Sequence, residues 1–254
     1  MEEHVNADEI LKDRVPAKLD FWQSATGGIL GIFIWFHLFF DSSILLGPLA
    51  MYKVSKGLEG SFLDPAGKGW PILVSFAALS ILIVFIVHAG LAMRKFPANW
   101  RQYKAFNSHM HQIQHGDTSA WFAQAVTGFI MFFFGGAHLL FMLFFPESIG
   151  PYAAADRIYS NGMFFFYLIL LFSVVIHAGA GLYRVSIKWG LIVGKNPRLG
   201  RQRNKATARV IAVLFLVLGL MALIAYGKLG YDHKEKKGER FNPAIHASQE
   251  KDRE

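Results

Sequence analysis

The stretch VFIVHAGLAMRKF, residues 84–96, sets His88 inside an otherwise apolar run, six positions before Arg94. The pattern returns at VVIHAGAGLYR, residues 174–184, with His177 seven positions before Arg184. FHLFF (36–40) and AHLLF (137–141) place His37 and His138 in two further apolar runs. An imidazole surrounded by hydrocarbon is costly without a partner, so an ionisable residue in such a run marks a functional site by default. Four runs with one histidine each therefore decide how the chain is read.

The composition agrees with a membrane protein. Of 254 residues 53% are hydrophobic and 24 are phenylalanine, and mean hydropathy is +0.32, too apolar for an ordinary soluble domain. The absence of cysteine excludes disulfides, thiolate-bound iron–sulfur clusters, covalently attached haem and a catalytic thiol from this chain. The net charge of +8 comes from basic residues in connections and the tail beside apolar runs. Membrane topology and anionic lipid account for such a distribution, and nucleic-acid binding is not implied.

Crossing ~30 Å of hydrocarbon takes about 20 apolar residues. Five stretches qualify, roughly 22–46, 71–94, 120–145, 163–184 and 208–228, which predicts an all-α integral membrane protein with a single membrane domain and a polar tail over 229–254. Residues 1–20 mix acids and bases and lack the apolar core of a signal peptide, so the first span is expected to remain in the mature protein. The N-terminal segment and the second and fourth connections concentrate lysine and arginine, including Arg94, Lys95, Arg101, Lys104, Arg184, Lys188 and the run from Lys195 to Arg209. The first and third connections hold only Lys53, Lys56, Lys68 and Arg157. Positive connections stay inside, which puts the N-terminus in the cytoplasm and, after five spans, the C-terminus outside. The basic residues of the tail run against that rule.

Counted at 1.5 Å per residue, His37 and His138 lie ~22 and ~27 Å from the inner edge and His88 and His177 ~10 Å from it. The histidines thus form two depth-matched pairs about 15 Å apart. Bis-imidazole ligation of an iron porphyrin needs two neutral rings from different helices, each with its other nitrogen donating to a carbonyl or similar group. Glycines on the same spans, among them Gly27, Gly28, Gly31, Gly128, Gly135 and Gly179, leave room for a flat macrocycle or a neighbouring backbone. Two histidines per level are too few for a closed tetrahedral zinc shell. The competing readings are a cofactor-free anchor whose histidines bridge helices, and a proton relay, which would string titratable groups along one path rather than at two levels.

The segments PAKLDFWQSATG (16–27), SSILLG (42–47), AMRKFP (92–97), RQY (101–103), HGDT (115–118) and GLYR (181–184) resemble the dihaem cytochrome b anchor of succinate:menaquinone oxidoreductases and menaquinol:fumarate reductases, over nearly all of residues 16–228. The resemblance implies a bacterial inner-membrane subunit that binds two haem b groups, with His37 and His138 on the distal haem and His88 and His177 on the proximal one. It implies Gln23, Ser24, Trp121 and Lys188 at proximal propionates, Arg157 at a distal propionate, and Glu59 as the acid that takes protons from menaquinol. Residue by residue, Trp121 also suits an interfacial aromatic anchor, Lys188 a snorkelling lysine and Glu59 a solvated loop acid. The implied partners are a flavoprotein carrying FAD, an iron–sulfur subunit, menaquinone and lipid, with a dimer of heterotrimers as the expected assembly. Some relatives carry a glutamate two residues before the fourth histidine, on a proposed proton route; here the position is Val175.

Three further features stand apart. His109, His111 and His115 lie in a polar connection, where helical spacing suits a metal and docking of a soluble subunit suits the location. Asp41, just beyond His37, reads as interfacial. His233 and His246 fall in a charged tail expected to be disordered or bound to a partner.

Overall fold

A computed structural model describes residues 14–96, 99–113, 116–191 and 196–245, except for the side chains of 106, 107, 109–113 and 116–118. His115 and His246, and the side chains of His109 and His111, thus lie outside what is described. Among the described residues the regular structure is helical throughout. Five helices are long and apolar enough to cross a membrane: α1 (Val15–Asp41), α3 (Ile72–Met93), α5 (Gly116–Phe144), α7 (Phe164–Lys188) and α8 (Pro197–Asp232). Between them stand α2 (Pro48–Leu58), α4 (Trp100–Ile113) and α6 (Pro151–Ile158).

Four of the five spans are longer than hydropathy implies because their end turns are polar and therefore invisible to an apolar window, while α3 keeps to its apolar run. Helix α1 starts seven residues before the expected position, on a proline in its first turn, where a missing amide costs nothing. It yields to a 3-10 turn over Ser42–Leu46. Helix α8 starts at Pro197 rather than near 208, and the Asn196 side chain accepts from the amides of Arg198 and Leu199, satisfying donors that the helix leaves orphaned. The short helices α2 and α6 both start at a Gly-Pro step, with Gly47 and Gly150 at φ 104° and 113°. Only glycine adopts that backbone freely, and proline then sets the first helical turn.

Helix α1 packs on α3, α3 on α5, α5 on α7, and α7 back on α1, while α8 lies outside against α7, α1 and α6. The four histidine-bearing spans thus form a ring in which α1 faces α5 and α3 faces α7 across the diagonals. This arrangement repeats internally. Gln-x-x-Thr-Gly opens α1 at 23–27 and α5 at 124–128, a histidine follows ten residues after each glycine, and His-Ala-Gly recurs at 88–90 and 177–179.

At the end of the bundle bearing α2 and α6, Met51, Ala154, Ala155, Ile158, Leu223 and Tyr226 form a buried cluster. The tail joins this end. His233 and Phe241 are both buried, which corrects the expectation of a disordered or partner-bound tail over this part: its aromatic rings pack against Tyr52 and Tyr152, and the Gly238 amide and Arg240 find partners on α6 and the preceding turn. The loop 64–71 is also folded, because the Asp64 carboxylate accepts from the amides of Ala66, Lys68 and Gly69 at 3.0, 2.9 and 3.0 Å. Those amides, that of Ala66 first, hold the Asp64 carboxyl below the usual carboxylate value. A depressed carboxylate contributes stability above its unfolded pKa of about 3.9 and loses it as pH falls through the folded value. Protection of the amides of residues 64–70, measured against their intrinsic exchange rates, is therefore expected to fall as pH is lowered past about 4, and to be already low at pH 7 in Asp64→Ala; a loop whose protection is indifferent to both changes contradicts this account.

Candidate dihistidine sites

Both inner-level histidines are held in the same way. The His88 Nδ1 donates to the Gln23 carbonyl at 3.1 Å and lies 3.2 Å from the Thr26 hydroxyl. The His177 Nδ1 donates to the Gln124 carbonyl at 2.8 Å. A carbonyl only accepts, so the proton of each neutral ring sits on Nδ1 and Nε2 keeps its lone pair. Four residues after each accepting carbonyl stands a glycine, whose missing side chain lets the ring approach. A Cβ built on Gly27 would lie 2.8 Å from His88 Cε1, and one on Gly128 3.0 Å from His177 Cε1.

The rings meet across the diagonals. His88 and His177 have centroids 6.3 Å apart with planes at 87°, and His37 and His138 are 6.1 Å apart at 55°. A metal–nitrogen bond of about 2.0 Å, with roughly 1.2 Å more to the ring centre, puts two coaxial imidazole centroids about 6.4 Å apart. Both pairs are spaced for one metal held between them. Two rings that have each committed their only proton to a helix carbonyl cannot hydrogen-bond one another, so the His88–His177 pair is not a direct bridge. Each does tie neighbouring helices, α3 to α1 and α7 to α5. Since His88 lies against Gly27 and His177 against Gly128, each ten residues before an outer-level histidine, the two levels are about 15 Å apart along the helices. Among the described residues no three His, Cys, Asp or Glu side chains converge as a metal shell.

The polar residues at the inner level gather around Asp20, which sequence reasoning missed because a lone acid in a basic segment carries no pattern. Asp20 pairs with Lys95, with Arg94 at 3.5 Å and with Lys188 at 3.2 Å. Lys188 also donates to Ser24 at 3.1 Å, as does the Trp189 indole at 3.2 Å. Gln23 turns a buried Oε1 without a partner beside this group. Trp121 lies on α5 one turn before Gln124, with its ring 6.2 Å from that of Phe96. The structure therefore brings Gln23, Ser24 and Lys188 together and leaves Trp121 on the facing helix of the same end.

At the outer level Arg157, on α6, donates to the Ser148 carbonyl and lies over the Phe141 ring at 5.4 Å, three residues along α5 from His138. Its Nε is buried without a partner, as is the His138 Nδ1. Asp41 is not merely interfacial: it accepts at 3.1 Å from the hydroxyl of Tyr226, itself only 2% exposed. Glu59 corrects the loop-acid reading, for it closes α2 and is 4% exposed. Lys56 pairs with it at 2.6 Å, its carbonyl accepts from the Trp70 amide at 2.7 Å, and a Cβ on Gly69 would meet its own Cβ at 2.9 Å. The folded loop hides it, a burial that no local sequence signal encodes.

The sequence pattern of the family described as succinate dehydrogenase/fumarate reductase transmembrane subunit matches residues 101–222. The chain is 47% identical over 224 residues to the fumarate reductase cytochrome b subunit of Wolinella succinogenes, covering 88% of this chain and 87% of that protein. It is also 47% identical over 236 residues to the fumarate reductase cytochrome b subunit of Helicobacter pylori, covering 93% and 90%. With five membrane-length helices and identity of this extent over nearly the whole of both chains, the chain belongs to the fumarate reductase cytochrome b subunits, the membrane-anchor subunits of that enzyme family.

Proposed function

We propose that this subunit anchors a flavoprotein and an iron–sulfur subunit at the cytoplasmic face of the bacterial inner membrane and carries electrons between menaquinol and the iron–sulfur subunit. The dicarboxylate chemistry belongs to the flavoprotein. The observation that carries the reading is the pair of imidazole gaps, 6.3 and 6.1 Å, one at each level of an apolar bundle. The residues fit two b haems, with His88 and His177 on the proximal iron and His37 and His138 on the distal one. Such a group supplies one-electron transfer when bound.

The rest is the work of this chain. Gln23 and Gln124 lend carbonyls that fix the ring tautomers and raise ligand basicity. Ser24, Lys188 and the side-chain amide N–H of Gln23 supply donors for propionates at the inner level, with Trp121 across the bundle, and Arg157 supplies its buried Nε at the outer level. Glu59, at the same end as His37 and His138, accepts protons from menaquinol and releases them outside. Lys56 pairs with it at 2.6 Å, and a carboxylate within reach of the quinol hydroxyl acts as a general base.

A second reading concerns direction. Among the described residues the spans carry no Asp, Glu, Lys or Arg between the two histidine levels, and Val175, 2% exposed, packs in an apolar cluster with Leu38, Leu171 and Val174. Electrons moving inward would cross without a proton beside them. A charge crossing 100 mV is worth about 2.3 kcal/mol, which opposes fumarate reduction by menaquinol and favours succinate oxidation by menaquinone.

Three results are expected. His177→Ala should lower the haem content of the purified complex from two to one per subunit in a pyridine haemochrome assay; retention of both removes His177 as a ligand. Glu59→Gln should cut menaquinol oxidation by about 100-fold or more, the scale of a lost general base, with both haem spectra intact; normal turnover dismisses it as the acceptor. In sealed proteoliposomes an uncoupler should accelerate quinol-driven fumarate reduction, and a rate indifferent to the uncoupler argues for a compensating proton.

A further inference from the structure

The helix that ends in Glu59 has little of its own to hold it in place. Helix α2 has 11 residues, a length at which isolated helices are marginal in water, so its position depends on tertiary packing. Its buried Met51 and Ser55 face the bundle end. Its Tyr52, one turn before Lys56 and two before Glu59, points to a different neighbour: the chain beyond α8.

After Asp232 the chain turns through the 3-10 segment Lys234–Lys236 and reverses at Gly238, φ +90°. The Gly238 amide donates to Asp156 Oδ2 at 2.8 Å, and the Arg240 guanidinium donates to the Glu147 carbonyl. The His233 ring stacks on Tyr152 at 4.0 Å. Phe241, 8% exposed, sits between Tyr52 at 5.4 Å and Tyr152 at 5.2 Å. On the far side of Tyr52 the Lys56 ammonium lies 5.9 Å from the ring and pairs with Glu59. An unbroken line of contacts runs from the tail to the acid.

We propose that residues 233–241 form a strap that clamps α2 against α6, with Phe241 as the positioning residue that sets Glu59 for the quinol. The proposal rests on the reading of Glu59 as the quinol-facing acid. The strap also accounts for basic residues at an end where positive charge is disfavoured: Arg240 is engaged with a backbone carbonyl, and Lys234 lies over the Tyr231 ring at 4.4 Å. These side chains hold the cap together and do not set topology.

The test uses the whole complex carrying Phe241→Ala and, separately, the chain truncated after Lys237. Hydrogen exchange over residues 48–59 reports the clamp, and quinol-driven fumarate reduction reports the placement of Glu59. Haem content and fumarate reduction from a viologen donor, which bypasses quinol, report folding. Exchange at least tenfold faster with quinol KM raised about tenfold is expected, with haem content and viologen rate unchanged and Phe241→Leu restoring both. Unchanged exchange overturns the strap. Faster exchange with normal quinol kinetics, alongside an inactive Glu59→Gln, overturns the positioning role. The same kinetics alongside a fully active Glu59→Gln leaves the strap standing and shows instead that the Glu59 reading is wrong.

Discussion

The hydrogen bond from a histidine Nδ1 to a helix carbonyl one span away organises the inner half of this molecule. In hydrocarbon an imidazole must satisfy its N–H, and water is absent. The carbonyls of Gln23 and Gln124 take that proton with a second lone pair, without leaving their own helices. The bond fixes the tautomer, joins adjacent spans and leaves Nε2 as the only lone pair free to face the diagonal. It forms only because Gly27 and Gly128 carry no side chain, so Gln23, Gly27, Gln124 and Gly128 both join the spans and fix which ring nitrogen faces the diagonal.

Under the proposed reading, the diagonal placement explains why four spans suffice for two sites. Neighbouring helices in the ring are in contact, while opposite helices stand farther apart, and a group that needs ligands on two opposing faces belongs between opposite helices. Alternating the pairs, α3 with α7 at one level and α1 with α5 at the other, lets each diagonal be used once. The separation of about 15 Å then follows from the ten residues between each glycine and the next histidine. The repeat of these spacings in the two halves gives the two histidines of each level matching positions, while the surroundings of the two levels differ: basic residues around Asp20 at one end, and Arg157 with the capped Glu59 at the other.

The ends of the bundle carry the specificity. At the inner end three cations share one carboxylate, leaving an excess of positive charge beside Ser24 and Gln23. At the outer end short helices started by Gly-Pro steps, a loop folded on Asp64 and the returning tail enclose Glu59. Both arrangements place the carboxylates and the lysine and arginine side chains at the rim and leave the histidines in an otherwise apolar middle, which is consistent with the proposed electron relay.

The apolar runs, their histidines and the distribution of lysine and arginine were legible in the sequence because membrane insertion and the cost of a buried imidazole are local properties of a segment. Depth matching of the histidines was legible too, since helix rise is constant. Burial of Glu59, the convergence on Asp20, the Asp41–Tyr226 bond and the docking of Phe241 were decided only by the tertiary structure. Each rests on contacts outside the local helix through groups that have no periodic signature, the Asp20, Asp41 and Phe241 contacts joining residues far apart in the chain, and the polar first and last turns of the spans escaped because they too lack an apolar pattern. Hydropathy records what a segment can cross, whereas the partner of a polar group depends on which helix stands beside it.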